Sequence, residues 1–270
     1  MPDRSAADGG PLVPAQERPA RRSGAESSRK VLQLLRAFSP QRHTRSAAEL
    51  AAVLEMPISS IYRYLSVLRE EGLVEEARPG EYRLSWLFVS LAGAARAAGD
   101  SLDVLAKPML RSMAEASGET TLLIKRVGWS AICVDRVESP HPVRLQFDQG
   151  QPMILHQGSA SRVLLASMKE AERERYLAAM SVLTDSEREQ IRADVSLVAR
   201  VGWLESFGEV DEGIWGASAV IKDGAEVVGA LGVAGPLFRL QHADRARLIE
   251  LVISGAAEIS RILVDRSHNG

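Results

Sequence analysis

The stretch from residue 46 to 84, SAAELAAVLEMPISSIYRYLSVLREEGLVEEARPGEYRL, limits the possible folds more than any other part of the chain. Ser46 stands three residues before Glu49, the spacing at which each side chain satisfies a backbone N–H that a helix start leaves free. Leu50, Val53 and Leu54 give this helix an apolar stripe. The stripe stops at Met56-Pro57, where the proline ring disfavours a helical Met56 but suits the first turn of a new helix. On that second helix Ile61, Tyr64, Leu65 and Leu68 recur at three- and four-residue spacing, which turns Ser59, Ser60, Tyr62, Arg63 and Ser66 outward. After Gly72, residues 73–76 and 82–84 read as the strands of a hairpin around Pro79-Gly80, with Arg78 at its tip.

Hydroxyls, a phenol and a guanidinium on one exposed helix face suit phosphate oxygens and base edges. Two short helices, a tight turn and a hairpin in that order therefore point to a winged helix-turn-helix over residues 26–85. A helix pair of this kind also serves protein interaction, which stays open as the alternative. The DNA-facing candidates are Ser59, Ser60, Tyr62, Arg63, Ser66 and Arg78, together with Ser46 at the first helix start. A preceding helix over 27–38, with Val31, Leu34, Leu35 and Phe38 as its stripe, adds Arg29 and Lys30 as phosphate contacts.

Charge supports that placement. The net charge is only −2, yet residues 1–63 hold ten Lys/Arg against six Asp/Glu, so the remainder holds 23 against 29. Residues 1–25 are rich in Pro, Gly, Ala, Ser and Arg without periodicity and are expected to form a flexible arm; Arg18, Arg21 and Arg22 in it are either DNA contacts or solvated charges. At 270 residues the chain has room for a second core. Residues 86–100, beginning WLFVSLAGAARAA, suit a linker helix that pairs with its copy in another subunit, or else an internal core helix.

From 101 to 266 a second domain is expected. An amphipathic helix over 101–116, kinked by Pro108, precedes strands at 120–127, 130–137 and 143–147. Helices follow at 159–168, at 169–180 and after Thr184, whose spacing to Glu187 repeats the capping box. A hairpin of 215–221 and 226–234 and a last helix at 243–264 complete an α+β domain with an antiparallel sheet, of sensing type.

Enzyme chemistry finds little support. The five histidines show no metal-ligand spacing, Gly158-Ser159-Ala160-Ser161 is not a nucleophile elbow, and residues 229–235 lack the dinucleotide-binding glycine spacing. The single cysteine, Cys133, lies in an apolar run and reads as core. His156 reads as a satisfied core histidine, with positioning of a ligand loop as the alternative. No cofactor or metal is expected. No apolar run reaches the roughly 18 residues of a membrane span, and no signal peptide is apparent, so a cytoplasmic protein without a membrane partner is expected.

The sequence resembles the IclR family of bacterial transcription regulators over nearly all of the chain after the arm. The resemblance is carried by Ile61-Tyr62-Arg63-Tyr64-Leu65, Leu68 and Glu71-Gly72-Leu73-Val74, then by Gly118-Glu119-Thr120, Val134-Asp135-Arg136-Val137-Glu138-Ser139, His156 and Leu164-Leu165-Ala166. It continues through Gly202, Glu209, Asp211 and Gly213 to Val233-Ala234-Gly235-Pro236. It implies a GAF/profilin-like C-terminal domain that binds a small effector, and a homodimer or homotetramer acting on a near-palindromic DNA operator. It also implies an effector pocket at Ser159, Ala160, Ser206, Ile214 and Gly216, joined by Met153 and by Trp215, the latter stacking on the effector or packing in the core. Three positions depart from the family pattern. Ser161 replaces a usual glycine, Gly216 stands in the segment that usually carries cysteine, and Ser206 lies where acidic contacts are frequent. A small organic acid or aromatic metabolite would suit such walls.

Overall fold

The computed structural model describes residues 23–39, 42–97 and 102–269. The expected arm falls almost wholly outside these residues, with Arg18, Arg21 and Arg22, and so does the end of the expected linker helix, residues 98–100. The chain divides into two compact units.

The N-terminal unit holds α1 (Ser23–Arg36), β1 (Thr44–Ser46), α2 (Ala47–Val53), α3 (Ile58–Glu70), β2 (Val74–Arg78), β3 (Glu81–Leu84) and α4 (Leu87–Ala97). The capping box forms at the start of α2. Ser46 Oγ accepts from Glu49 N–H at 3.2 Å, and Ser46 N–H donates to Glu49 Oε2 at 2.7 Å. The turn into α3 places Glu55 in the left-handed region at φ 51, unusual for a residue with a side chain. Leu34, Leu50, Ile61, Leu65, Leu68, Val74 and Tyr82 meet in a single core, so the stripes read from the sequence face one another.

Strands β2 and β3 pair antiparallel as the wing, and the short β1, which has no sequence signal, adds to β3 to give the order β1-β3-β2. Gly80, at φ 79, makes the wing turn, and its N–H donates to Glu76 Oε1 at 2.7 Å. In α4 the alternative of a buried core helix is not met within one chain: Trp86 just before it is 77% exposed and Val89 59%.

The C-terminal unit comprises α5 (Leu102–Ser117), β4 (Thr120–Val127), β5 (Ser130–Val137), β6 (Pro152–Ile154), α6 (Ser159–Ala166), α7 (Glu170–Ala179), α8 (Asp185–Val201), β7 (Trp203–Phe207), β8 (Ile214–Asp223), β9 (Glu226–Pro236), a short 3₁₀ turn at Leu237–Arg239 and α9 (His242–Asn269). Its six strands form one antiparallel sheet in the order β6-β5-β4-β9-β8-β7. One face packs against α5 and α9 through Leu123, Ala217, Ala219, Leu231, Leu248 and Val252. The other lies under α6 and α8 through Leu122, Ala230, Leu164, Leu165, Ile191 and Val195. Pro108 is accommodated inside α5, and Thr184 and Glu187 cap α8 reciprocally.

Residues 143–147, expected as a strand, form none: the segment is irregular, and Leu145 C=O accepts from Thr120 Oγ1 at 3.0 Å instead of joining a ladder. The edge of β5 is taken by β6, whose Met153 lies opposite Ala131. Neither β6 nor β7 was anticipated, and both are edge strands too short to display a period.

Candidate functional site

On α3 the buried residues are Ile61, Tyr64, Leu65 and Leu68, and their burial leaves Ser59, Tyr62 and Arg63 exposed and Ser60 half-buried. Arg63 is steadied from below: its guanidinium carbon lies 5.2 Å from the centroid of the Tyr64 ring, and Nη2 is 3.5 Å from the Tyr64 hydroxyl. Arg78 ends β2 beside the wing turn and is exposed. The remaining candidates are less free. Ser46 is engaged in its capping box, Ser66 Oγ donates to Glu70 Oε1 at 3.0 Å, and Lys30 Nζ pairs with Glu26 at 2.9 Å. Arg29 is exposed on α1.

The C-terminal unit encloses a cavity of about 290 Å³ between the α6 start, β6, the irregular segment before β6, and the loop from β7 to β8. Met153, Ser159, Ala160, Ser206, Ile214 and Gly216 all line it. Trp215, expected beside them, does not. Side chains of successive strand residues point to opposite faces, so Trp215 lies on the α9 side of the sheet, fully buried, and its indole N–H donates to Glu205 Oε2 at 2.9 Å.

Apolar walls come from Leu122, Ile124, Leu145, Phe147, Met153 and Ile154. The polar wall is dominated by hydroxyls. Ser159 N–H donates to Ser206 Oγ at 2.9 Å, and Ser159 Oγ and Ser218 Oγ are 3.0 Å apart. Ser161, only 4% exposed, also lines the cavity. Gly216 lets this arrangement close: a Cβ there would lie 3.2 Å from Ser159 Oγ. The charged lining residues are Asp148, Glu209 and Asp211, with no Lys or Arg among the described lining residues.

Glu209 ties the β7–β8 loop to α6. Its Oε2 accepts from Gly158 N–H at 2.9 Å, and its Oε1 lies 2.9 Å from Arg162 Nη1, which also pairs with the buried Asp194 on α8. Burial raises the pKa of Glu209, and the Gly158 N–H and Arg162 act against that rise. His156 lies under this region as a core residue. Its Nδ1 is 2.8 Å from the Tyr176 hydroxyl, and burial pushes its pKa down to about 4, so the ring is neutral near pH 7. Asp148, Gln151 and Gln157 of the lining carry no sequence signal, because they belong to segments without periodicity, and Phe147 ends the segment expected as a strand. Cys133 is buried and free, its thiol pushed up to about 11 by burial.

A family model described as the bacterial transcriptional regulator IclR C-terminal domain matches residues 97–261, and another, the IclR helix-turn-helix domain, matches residues 27–78. The chain belongs to the IclR family. Its similar proteins include the HTH-type transcriptional repressor AllR of Escherichia coli K12, 26% identical over 271 residues that cover 94% of this chain and 96% of AllR. The HTH-type transcriptional regulator KipR of Bacillus subtilis is 25% identical over 240 residues, covering 86% of this chain and 94% of KipR. Among solved structures, an IclR transcriptional regulator from Silicibacter sp. superposes with a TM-score of 0.77 at 24% identity, covering 88% of this chain and 96% of that one. An IclR homologue from Microbacterium hydrocarbonoxydans, complexed with 4-hydroxybenzoate, superposes with a TM-score of 0.69 at 21% identity, covering 88% and 98%. This IclR-family protein is a DNA-binding transcriptional regulator with an N-terminal helix-turn-helix domain and a C-terminal effector-binding domain, and its relatives are regulators, not enzymes.

Proposed function

We propose that this IclR-family regulator acts in the cytoplasm as a homodimer or homotetramer on a near-palindromic operator. A small, partly apolar organic effector of the aromatic or organic-acid type occupies the C-terminal cavity and changes operator affinity. Ser59, Ser60, Tyr62 and Arg63 enter the major groove, with Arg78 at the backbone or minor groove and Arg29 and Lys30 on phosphates. The observation that carries this reading is the cavity of about 290 Å³, apolar on one side and hydroxyl-lined on another, in a chain whose α3 leaves its polar face exposed.

Two further observations support it. The exposed apolar residues Trp86, just before α4, and Val89 and Leu91 on it suit pairing with a second copy. The 4-hydroxybenzoate held by the Microbacterium homologue is an aromatic compound of a size that this cavity would accept. Among the described residues no helix is long and apolar enough to cross a membrane.

The test is a salt titration of binding to duplexes from around the protein's own gene and to an unrelated duplex, with and without a panel of aromatic compounds and small carboxylates. Preferred binding to one duplex, with a steep salt slope and a shift caused by a compound, supports the proposal; no duplex preference at any salt contradicts it. Sedimentation of wild type and Val89→Glu tests the assembly: the wild type should be dimeric or larger and the variant should dissociate.

A further inference from the structure

The polar wall of the cavity offers more hydrogen-bond donors than the protein uses. Ser206 Oγ accepts from Ser159 N–H, and its own proton meets no acceptor among the described residues. Ser159 and Ser218 hold two hydroxyl protons but share a single contact, so one proton of the pair is unspent. Ser161, 4% exposed, has no hydrogen-bond partner for its hydroxyl among the described residues. Serine hydroxyls both donate and accept, so this wall keeps acceptor lone pairs as well, and its unspent protons are free to meet an oxygen of the ligand.

The charges argue against an anion on that wall. The carboxylate that the start of α6 would welcome is already present in the protein, because Glu209 accepts from Gly158 N–H and takes up Arg162. Arg162 is shared with Asp194 as well, which leaves one guanidinium between two carboxylates. Asp148 and Asp211 add further acidic lining, and no cation lines the cavity among the described residues. A ligand carboxylate entering there would lose its water and gain no counter-ion.

We infer that the group the effector places against Ser159, Ser161, Ser206 and Ser218 is an uncharged oxygen acceptor, the carbonyl of an amide, ester, lactone or ketone, and that a free carboxylate is disfavoured at this wall. This rests on the cavity being the effector site, and it narrows the effector class. The apolar body of the compound then lies along Ile124, Phe147, Met153 and Ile154.

The experiment is calorimetric titration of the full-length protein with four compounds that differ only in head group: 4-hydroxybenzamide, methyl 4-hydroxybenzoate, 4-hydroxybenzoate and 4-hydroxybenzylamine. Each is titrated into wild type, Ser161→Ala, Ser206→Ala and Ala160→Trp. The amide and ester should bind about tenfold or more tighter than the carboxylate and the amine, and each serine variant should weaken them about fivefold to tenfold. Ser161 makes no structural hydrogen bond, so its alanine variant should keep the wild-type melting temperature. Tightest binding by the carboxylate or the amine, or no change in Ser161→Ala and Ser206→Ala, overturns the inference while the cavity stands if Ala160→Trp abolishes binding. Unchanged binding in Ala160→Trp, or no binding of any of the four, removes the cavity reading and the head-group inference together.

Discussion

Ser159, at the first turn of α6, donates its N–H to Ser206 Oγ on β7 at 2.9 Å, across 47 residues of sequence. Ser206 lies opposite Gly216 in the β7–β8 register, and Gly216 passes under Ser159 Oγ without a side chain. The polar wall of the cavity is therefore set by a helix start and two adjacent strands together. Glu209 makes a second link from the same loop region to the residue just before α6. A compound that fills the cavity would touch the helix start, both strands and the loop at once.

Replacing Arg63 by Ala removes an exposed guanidinium from the outward face of α3 and leaves the buried stripe intact. Operator affinity should fall by about 1–3 kcal/mol while effector affinity is unchanged. Fluorescence anisotropy with operator DNA, paired with calorimetry of the effector, checks this; equal loss of both would contradict the division of labour.

Glu55 occupies the left-handed region at φ 51 in the turn between α2 and α3. Glycine pays less for that conformation, and part of the gain is returned as unfolded-state entropy. Glu55→Gly should thus stabilise the N-terminal unit by about 0.5–1 kcal/mol, read by urea denaturation.

Arg162 stands between Asp194 and Glu209, and its own side chain is only 14% exposed. Arg162→Met would strand two carboxylates and should destabilise the C-terminal unit by about 2–4 kcal/mol. Adding Asp194→Asn and Glu209→Gln should recover much of that loss, because the cost lies in the unpaired charges. Chemical denaturation of the single and triple variants measures both effects.

His156 is held neutral, with a folded-state pKa of about 4 against an ordinary value of 6.5. The unfolded chain therefore binds the extra proton between these values. Stability is full above about pH 6.5 and is lost as the pH falls toward 4. From about pH 7.5 to about pH 5 the loss from this group should be about 2 kcal/mol, and it should be absent in His156→Gln. Unfolding of the two proteins at both pH values gives the comparison.

The sequence revealed most where its residues act locally. The capping boxes at Ser46 and Thr184, the break at Met56-Pro57 and the apolar stripe of α3 each depend on neighbours within a few positions, and each appears as read. Short edge strands did not reveal themselves, since β1 and β6 have three residues each and their pairing is decided by the strand beside them. Residues 143–147 look like a strand by composition, yet β6 takes the place on the sheet edge that they would need. Trp215 was drawn to the cavity by its neighbour Gly216, and strand alternation sends it to the other face. The Arg162, Asp194 and Glu209 cluster joins three distant segments and has no sequence spacing to betray it.

The most direct measurement is anisotropy of a labelled operator duplex against full-length protein, with and without a compound that binds the cavity, in wild type and in Ala160→Trp. The compound should shift operator affinity at least fivefold in wild type and leave it unchanged in Ala160→Trp, which should itself still bind the operator. An equal shift in both proteins, or none in wild type at saturating compound, would contradict control of the DNA-binding domain through this cavity.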